Sequence, residues 1–284
     1  MTEIKKNDIL FIEYELLPYL PAVFEKHLNL LGIKYIVDYD DAIFHNYDNK
    51  FVKLFLRNKI RKVIAYSQQV ITGSPYLTKF AQKYGLNVIE IPTSIDTEKY
   101  DLKYNDKKDE TNFTVGWIGT PSTSGNLLLI KNALLFFIEK HPEVNVKFIG
   151  MSEAIAESLG FPSIAWDAQT EIDVISSFDV GIMPLENNSF NRGKCGFKLI
   201  QYMACAKPTI STPLEANIKI NRNKKNLHAN GEKEWVEALE NIYDNRNYFV
   251  GVGNENRKIV EKYYSIAENS VKYKLIFQRL FQTK

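Results

Sequence analysis

Short β-branched runs alternate with longer runs of helical spacing, and they do so twice along this chain of 284 residues. "DILFIEY" (8–14), "KYIVDYD" (34–40), "QVITGS" (69–74) and "LNVIEIP" (86–92) read as strands, separated by helical patterns at 20–32, 50–67 and 75–85. A polar, charge-rich stretch at 96–112 follows, and the alternation restarts. Strands are expected at 113–119, 145–150, 162–166, 179–185, 208–212 and 224–229. Helices are expected at 126–141, 153–160, 170–178, in the stretch before Pro208, at 232–244 and twice more before the end. Such alternation implies parallel sheets with helices on both faces. The polar break implies two doubly wound α/β domains in tandem. Ligands of such sheets sit at the carboxyl ends of the strands, so the loops that follow strands carry the chemistry.

Composition narrows the function classes. Apolar residues make up 45% and charged residues 25%, as in a soluble globular protein. A net charge of +2 argues against a general nucleic-acid binder. "MTEIKKNDIL" has no apolar core of signal-peptide length, and the longest apolar stretch, 127–138, is broken by Lys131 and Asn132. A cytoplasmic protein is therefore expected. Cys195 and Cys205, placed on one helix, would stand about 15 Å apart, whereas a disulfide needs Cα atoms within roughly 7 Å. No bridge is expected, which suits a reducing compartment. The four histidines and two cysteines have no zinc-like spacing.

Four stretches carry candidate chemistry. In "NRGKCGFKLIQYMACAKPTIS" (191–211), Arg192, Lys194 and Lys198 crowd around Gly193 and Gly196 where a helix begins. The helix dipole disfavours cations there, so either the charges are a solvated face or an anion belongs among them. The glycines permit close backbone approach, and Lys198 and Gln201 share a helix face, an arrangement suited to a diphosphate. The loop "GTPSTSGN" (119–126) joins a strand to a helix and offers backbone N–H groups to an anion, or is an ordinary capped turn. It matches neither the dinucleotide nor the P-loop pattern. "VDYDDAIF" (37–44) ends a strand with Asp38, Asp40 and Asp41, which read as a cleft lining in preference to a metal site. In the 50–67 helix, Lys50, Lys53, Arg57 and Arg61 lie near one face; the solvated face of a packed helix is the leading reading and a membrane-surface helix the other.

Together these residues resemble the family-4 GT-B glycosyltransferases (glycosyl transferases group 1). "DVGIMPLENNSFNRGKCGFKLIQYMACAKPTIST" looks like their donor-site signature, and "VGWIGTPSTSGNL" like the first strand, loop and helix of their donor domain. "VDYDDAIF", "VITGSPYLTKFA" and "VIEIPTSIDTEKY" resemble the later acceptor domain and its crossover. The resemblance implies two Rossmann-like parallel-sheet domains. An acceptor-side domain at 1–94 would be incomplete at its start, a donor domain would span 95–267, and a last helix, 268–284, would cross back to the first. It implies a nucleotide diphosphate sugar as donor substrate, no cofactor and no metal. The expected reaction is hexosyl transfer with retention to a glycan, lipid-linked or protein acceptor, in cell-surface polysaccharide or glycoconjugate synthesis. Peripheral contact with the inner face of the membrane and a partner chain completing the first domain are further expectations.

The family's roles carry over by position. Gly119 and Thr120 match the phosphate-facing loop, and 163–167, with Trp166, matches the region that holds the base. Gln201 stands where the second of two paired glutamates contacts the donor ribose, Gly193 where the first would lie, and Gly196 and Phe197 complete the donor set. Arg192, Lys194 and Lys198 take the catalytic, leaving-group-stabilising part, and Asp38, Asp40 and Asp41 the acceptor cleft. Two departures stand out. The glutamate pair is missing, and "GWIGTPSTS" lacks the basic pair common in that strand's loop. They leave open an alternative, a non-catalytic nucleotide-sugar-binding subunit of a larger enzyme.

Overall fold

The computed structural model describes residues 8–100 and 112–282. In chain order the first elements are β1 Ile9–Glu13, α1 Val23–Leu30, β2 Lys34–Tyr39, α2 Lys50–Leu56, α3 Lys59–Tyr66, β3 Gln69–Thr72, α4 Pro75–Ala81 and β4 Val88–Glu90. Then come β5 Phe113–Ile118, α5 Lys131–Lys140, β6 Val144–Ile149, α6 Glu153–Leu159, β7 Ser163–Ile164, α7 Glu171–Ser176, β8 Val180–Met183, α8 Ser189–Arg192 and α9 Phe197–Ala204. The rest are β9 Thr209–Ser211, α10 Glu215–Ile220, β10 Leu227–His228, α11 Glu232–Asp244, α12 Arg246–Tyr263 and α13 Ile266–Gln282. Most of the charge-rich stretch expected to join the halves, 101–111, lies outside the described residues.

The chain divides into two compact units. Unit 1 takes the residues up to Thr93, the short stretch Asn188–Cys195 and the residues from Ala267 on; unit 2 takes Ser94–Asn187 and Gly196–Ile266. Asn188–Cys195, which the sequence reading kept within 95–267, thus groups by its contacts with the first strands.

Unit 1 is a parallel sheet in the order β1-β2-β3-β4. Its strands alternate between two buried faces, as the two-residue period of a strand requires. Tyr35, Val37 and Val70 pack with Ile60, Val63 and Ile64 of α3 and Leu77 of α4. Ile36, Ile71 and Ile91 face the other way and are covered by Ile276 and Leu280 of α13. The expected single helix at 50–67 is two helices. The Asn49 side chain caps α2 by accepting from the Phe51 N–H, and the chain bends at Arg57–Asn58. The bend has a cause distant in sequence. Lys59 is drawn inside by Glu25 of α1 at 2.8 Å and Glu15 at 3.7 Å, so α3 presents a different face from α2.

Unit 2 is a six-stranded parallel sheet, β10-β9-β8-β5-β6-β7. Gly116 of β5 and Gly181 of β8 are register partners at its centre. A Cβ on Gly116 would stand 2.1 Å from the Phe178 ring, and one on Gly181 2.3 Å from the Tyr202 ring. The two aromatic rings thus lie on bare backbone, and that of Tyr202 draws α9 onto the sheet. The Tyr202 hydroxyl then accepts from the Ile118 N–H and donates to the Ile182 carbonyl, both at 3.1 Å. These contacts fix α9, and with it Lys198 and Gln201, against the ends of β5 and β8. The helix expected at 126–141 starts as a 3₁₀ turn, Ser124–Ile130, and becomes α-helical only in α5.

Candidate functional site

In unit 2 the sequence-derived donor residues meet at the carboxyl ends of the strands. Gly119 ends β5, and a Cβ there would stand 2.4 Å from the Trp117 ring and 2.8 Å from Thr123 Oγ1. Gly150, at φ +72°, ends β6, and a Cβ there would stand 2.2 Å from the Gly119 carbonyl oxygen and 3.8 Å from Trp166 Cβ. Lys198 Nζ lies 5.6 Å from the Trp117 ring centroid, a cation–π contact that brings the lysine over the same ring Gly119 touches. Gly119, Gly150, Trp166 and Lys198 therefore form one continuous patch.

The loop after β5 is held by its own hydroxyls. Thr123 Oγ1 accepts from the Thr120 N–H at 3.2 Å and donates to the Thr120 carbonyl at 3.0 Å, and Thr120 Oγ1 meets Ser122 Oγ at 2.9 Å. Thr120 itself is exposed. At the start of α9, Gly196 adopts φ +72°, and a Cβ there would come within 2.3 Å of Ile220, so both backbone and packing require glycine. No side chain caps this helix, and Phe197 is 40% exposed at its first position.

Gln201 and Trp166 converge on residues that the sequence reading missed, Glu171 and Tyr100. Trp166 Nε1 donates to Glu171 Oε2 at 2.6 Å, and Gln201 Nε2 donates to Glu171 Oε1 at 3.1 Å and to the Tyr100 hydroxyl at 3.2 Å. The Tyr100 hydroxyl donates to Glu171 Oε1 at 2.5 Å. Burial, and then this bond to the carboxylate, holds Tyr100 protonated well above the ordinary phenol range. A carboxylate thus stands beside Gln201, supplied by the first turn of α7. The one sequence signal was an acid five residues after Trp166 at a helix start, where the dipole favours it.

Unit 1 holds the remaining candidates. Arg192 closes the four-residue helix α8, where a cation suits the dipole, and does not belong to the start of α9. Lys194 follows, 3.6 Å from Asp41 and 5.2 Å from the Phe190 ring centroid. A Cβ on Gly193 would stand 2.4 Å from that of Ala42, and Ser74 Oγ donates to the Gly193 carbonyl at 3.0 Å. Cys195 Sγ donates to the Asp40 carbonyl at 2.8 Å. The 188–195 stretch is thereby fastened to the end of β2. Asp38 receives a hydrogen bond from Tyr273 at 3.3 Å, and Asp40 one from Tyr14. Burial, reinforced by Asp40 and opposed by the Tyr273 bond, pushes the Asp38 carboxyl up to about 6. Among the described residues no group of histidine, cysteine, aspartate and glutamate is arranged to hold a metal ion. Both cysteines are free and buried.

No family model and no curated protein matches the sequence. The fold, by contrast, matches those of solved structures. Sucrose-phosphate synthase from Thermosynechococcus elongatus superposes with a TM-score of 0.75 at 13% identity, over 97% of this chain and 74% of that one. The Anabaena protein HepE, solved in complex with UDP, gives 0.74 at 11% identity, over 91% and 76%. A glycosyltransferase from Rickettsia africae gives 0.68 at 13% identity, over 97% and 78%. At such identities the likeness is one of fold, and that fold is GT-B, the architecture of the glycosyltransferases whose donor-site signature the sequence resembles.

Proposed function

We propose that this chain is a glycosyltransferase that binds a nucleotide diphosphate sugar on unit 2. The observation that carries the reading is the continuous patch of Gly119, Gly150, Trp166 and Lys198, joined through Trp166 to Glu171 and Gln201. The diphosphate would lie against the loop after β5 and the Lys198 ammonium, the ribose against Gln201 and Glu171, and the base near Trp166. The chemistry required of the protein is electrostatic: a cation and backbone N–H groups stabilise the departing diphosphate as the glycosidic bond to it breaks. Asp38, Asp40 and Asp41 are proposed for the acceptor side. The acceptor is a glycan, a lipid-linked sugar or a protein, and the expected stereochemical outcome is retention.

One observation favours a second reading, a nucleotide-sugar-binding subunit without turnover. Gln201 stands where the resemblance puts a glutamate, and its amide nitrogen is engaged by Glu171 and Tyr100. Calorimetric titration of UDP, GDP and TDP, followed by release of nucleotide diphosphate from the matching sugar nucleotide, separates the two. Binding with release supports the transferase; binding without release under any acceptor supports the subunit. No binding by a folded protein overturns both.

A further inference from the structure

Gln201 carries a donor and an acceptor on one amide, and its neighbours decide which of the two is left over. Glu171 receives three hydrogen bonds: from Trp166 Nε1 at one carboxylate oxygen, and from the Tyr100 hydroxyl and Gln201 Nε2 at the other. The Tyr100 proton is thus given to Glu171, and its hydroxyl oxygen accepts from the same Gln201 nitrogen at 3.2 Å. Turning the amide over would set its carbonyl oxygen against a carboxylate and against a hydroxyl whose proton already points elsewhere. The amide therefore has one orientation, nitrogen inward. Tyr100 is itself anchored. Arg257 of α12 donates to the carbonyls of Thr97 and Ala204, both at 2.8 Å, and to that of Tyr100, which ties the 97–100 stretch to the end of α9. Tyr100 and Gln201 are 4% and 6% exposed, so water competes little for these bonds. What Gln201 keeps is Oε1. It accepts no hydrogen bond from the described residues, and it is not among their buried polar atoms without a partner, so it reaches solvent.

We propose that Tyr100 and Glu171 are positioning residues that make Gln201 an acceptor only, and that this selects a ribose over its deoxy forms in the bound nucleotide. A group that presents lone pairs alone favours a hydroxyl, and it is left unpaired where that hydroxyl is missing. Held this way, Gln201 offers a ligand what a carboxylate in its place would offer, without setting a second negative charge beside Glu171. Gln201 stands one turn from Lys198 on α9, and Glu171 joins it to the exposed Trp166 ring. The selected hydroxyl would thus lie between diphosphate and base, where a nucleotide carries its sugar. This selection rests on unit 2 binding a nucleotide diphosphate at the proposed donor site.

The test is calorimetric titration of the full chain with UDP, 2′-deoxy-UDP and 3′-deoxy-UDP, with the three guanine counterparts, and with thymidine diphosphate. For the base that binds, at least one deoxy form should bind roughly tenfold more weakly than the ribonucleotide. Gln201→Met, which fills the space without an acceptor, should bind all three forms alike. Tyr100→Phe and Glu171→Leu should keep nucleotide binding but each reduce the discrimination by about threefold or more, because the amide is then free to turn. Exchanging the two groups, Glu171→Gln with Gln201→Glu, again sets an acceptor towards the ligand and an amide nitrogen behind it. The exchanged pair should discriminate as the native chain does, a rescue that a merely structural role would not give. Equal binding of ribose and both deoxy forms by the native chain overturns the proposal, even where a variant fails to fold, and leaves the donor reading standing. Undiminished discrimination in Gln201→Met, or in both Tyr100→Phe and Glu171→Leu, overturns it likewise, as does its loss in a folded exchanged pair. Binding of thymidine diphosphate alone overturns the selection and not the donor site; binding of none of these nucleotides by a folded chain overturns both.

Discussion

Lys59, Glu25 and Glu15 show what a buried ion pair does here. Lys59 and Glu25 are 2% and 0% exposed, and Glu25 Oε2 makes no hydrogen bond. Burial raises the Glu15 carboxyl above its usual range, while its bond from Tyr47 and the Lys59 charge pull it back. Removing one partner leaves a buried charge without compensation, which costs about 3–5 kcal/mol, whereas replacing a pair by apolar residues is often neutral. Lys59→Met should therefore lower the urea midpoint strongly, and Lys59→Met with Glu25→Leu should restore much of it. Asp38 makes the opposite kind of prediction. Its folded pKa of about 6 lies above its value in the unfolded chain, so the fold holds the proton more tightly. Stability from this group is fully present below about pH 4 and is lost as pH rises towards 6. Asp38→Asn should remove that slope and raise stability at pH 7, by an amount on the order of 1 kcal/mol because Asp38 keeps some contact with water. Denaturant titrations from pH 4 to pH 7 decide it. At the proposed donor site, Lys198→Ala should weaken nucleoside diphosphate binding roughly tenfold to a hundredfold, the worth of one charge-assisted hydrogen bond. Calorimetric titration of the variant with UDP, GDP and TDP checks it; unchanged affinity would contradict the prediction.

At the scale of elements, α9 is placed by glycines. Gly196→Ala meets both a left-handed backbone and Ile220 and should cost about 1–3 kcal/mol; Gly251→Ala, in α12 with open space around it, should cost nothing or stabilise slightly. Thermal melts of the two variants make the comparison. The alternation of strands and helices was legible in the sequence because a strand's β-branched run and a helix's spacing are local properties. The bend at Arg57–Asn58 was not, because what causes it is a carboxylate on α1. α8 escaped because four residues cannot show a period, and its Arg192 was read as part of the next helix's start. Glu171 and Tyr100 escaped for the same reason as the bend: only the folded sheet brings them to Gln201. The loop at Gly119 and the face shared by Lys198 and Gln201 were singled out from the residues themselves and Trp166 through the resemblance; the contacts each one makes are what the fold adds.

At the scale of the whole molecule, unit 1 is discontinuous: its sheet is covered on one face by α13, from the far end of the chain. Ile276→Ala with Leu280→Ala should cost about 2 kcal/mol or more for each side chain, and hydrogen exchange should quicken across β1–β4 and stay unchanged in β5–β9. Unit 2 is closed in part by α11 and α12, whose Trp235, Leu239, Phe249 and Val252 pack with Phe113 and Val115 of β5. The discontinuity of unit 1 has a consequence for how the protein is made. A ribosome delivers β1–β4 first, yet the helix that seals them comes last, so the earliest part of the chain is the latest to be finished. Until then Ile36, Ile71 and Ile91 stay uncovered on a nascent sheet, and a chain stalled before α13 would present a sticky, half-built face to its neighbours while its later-made portion was already folded.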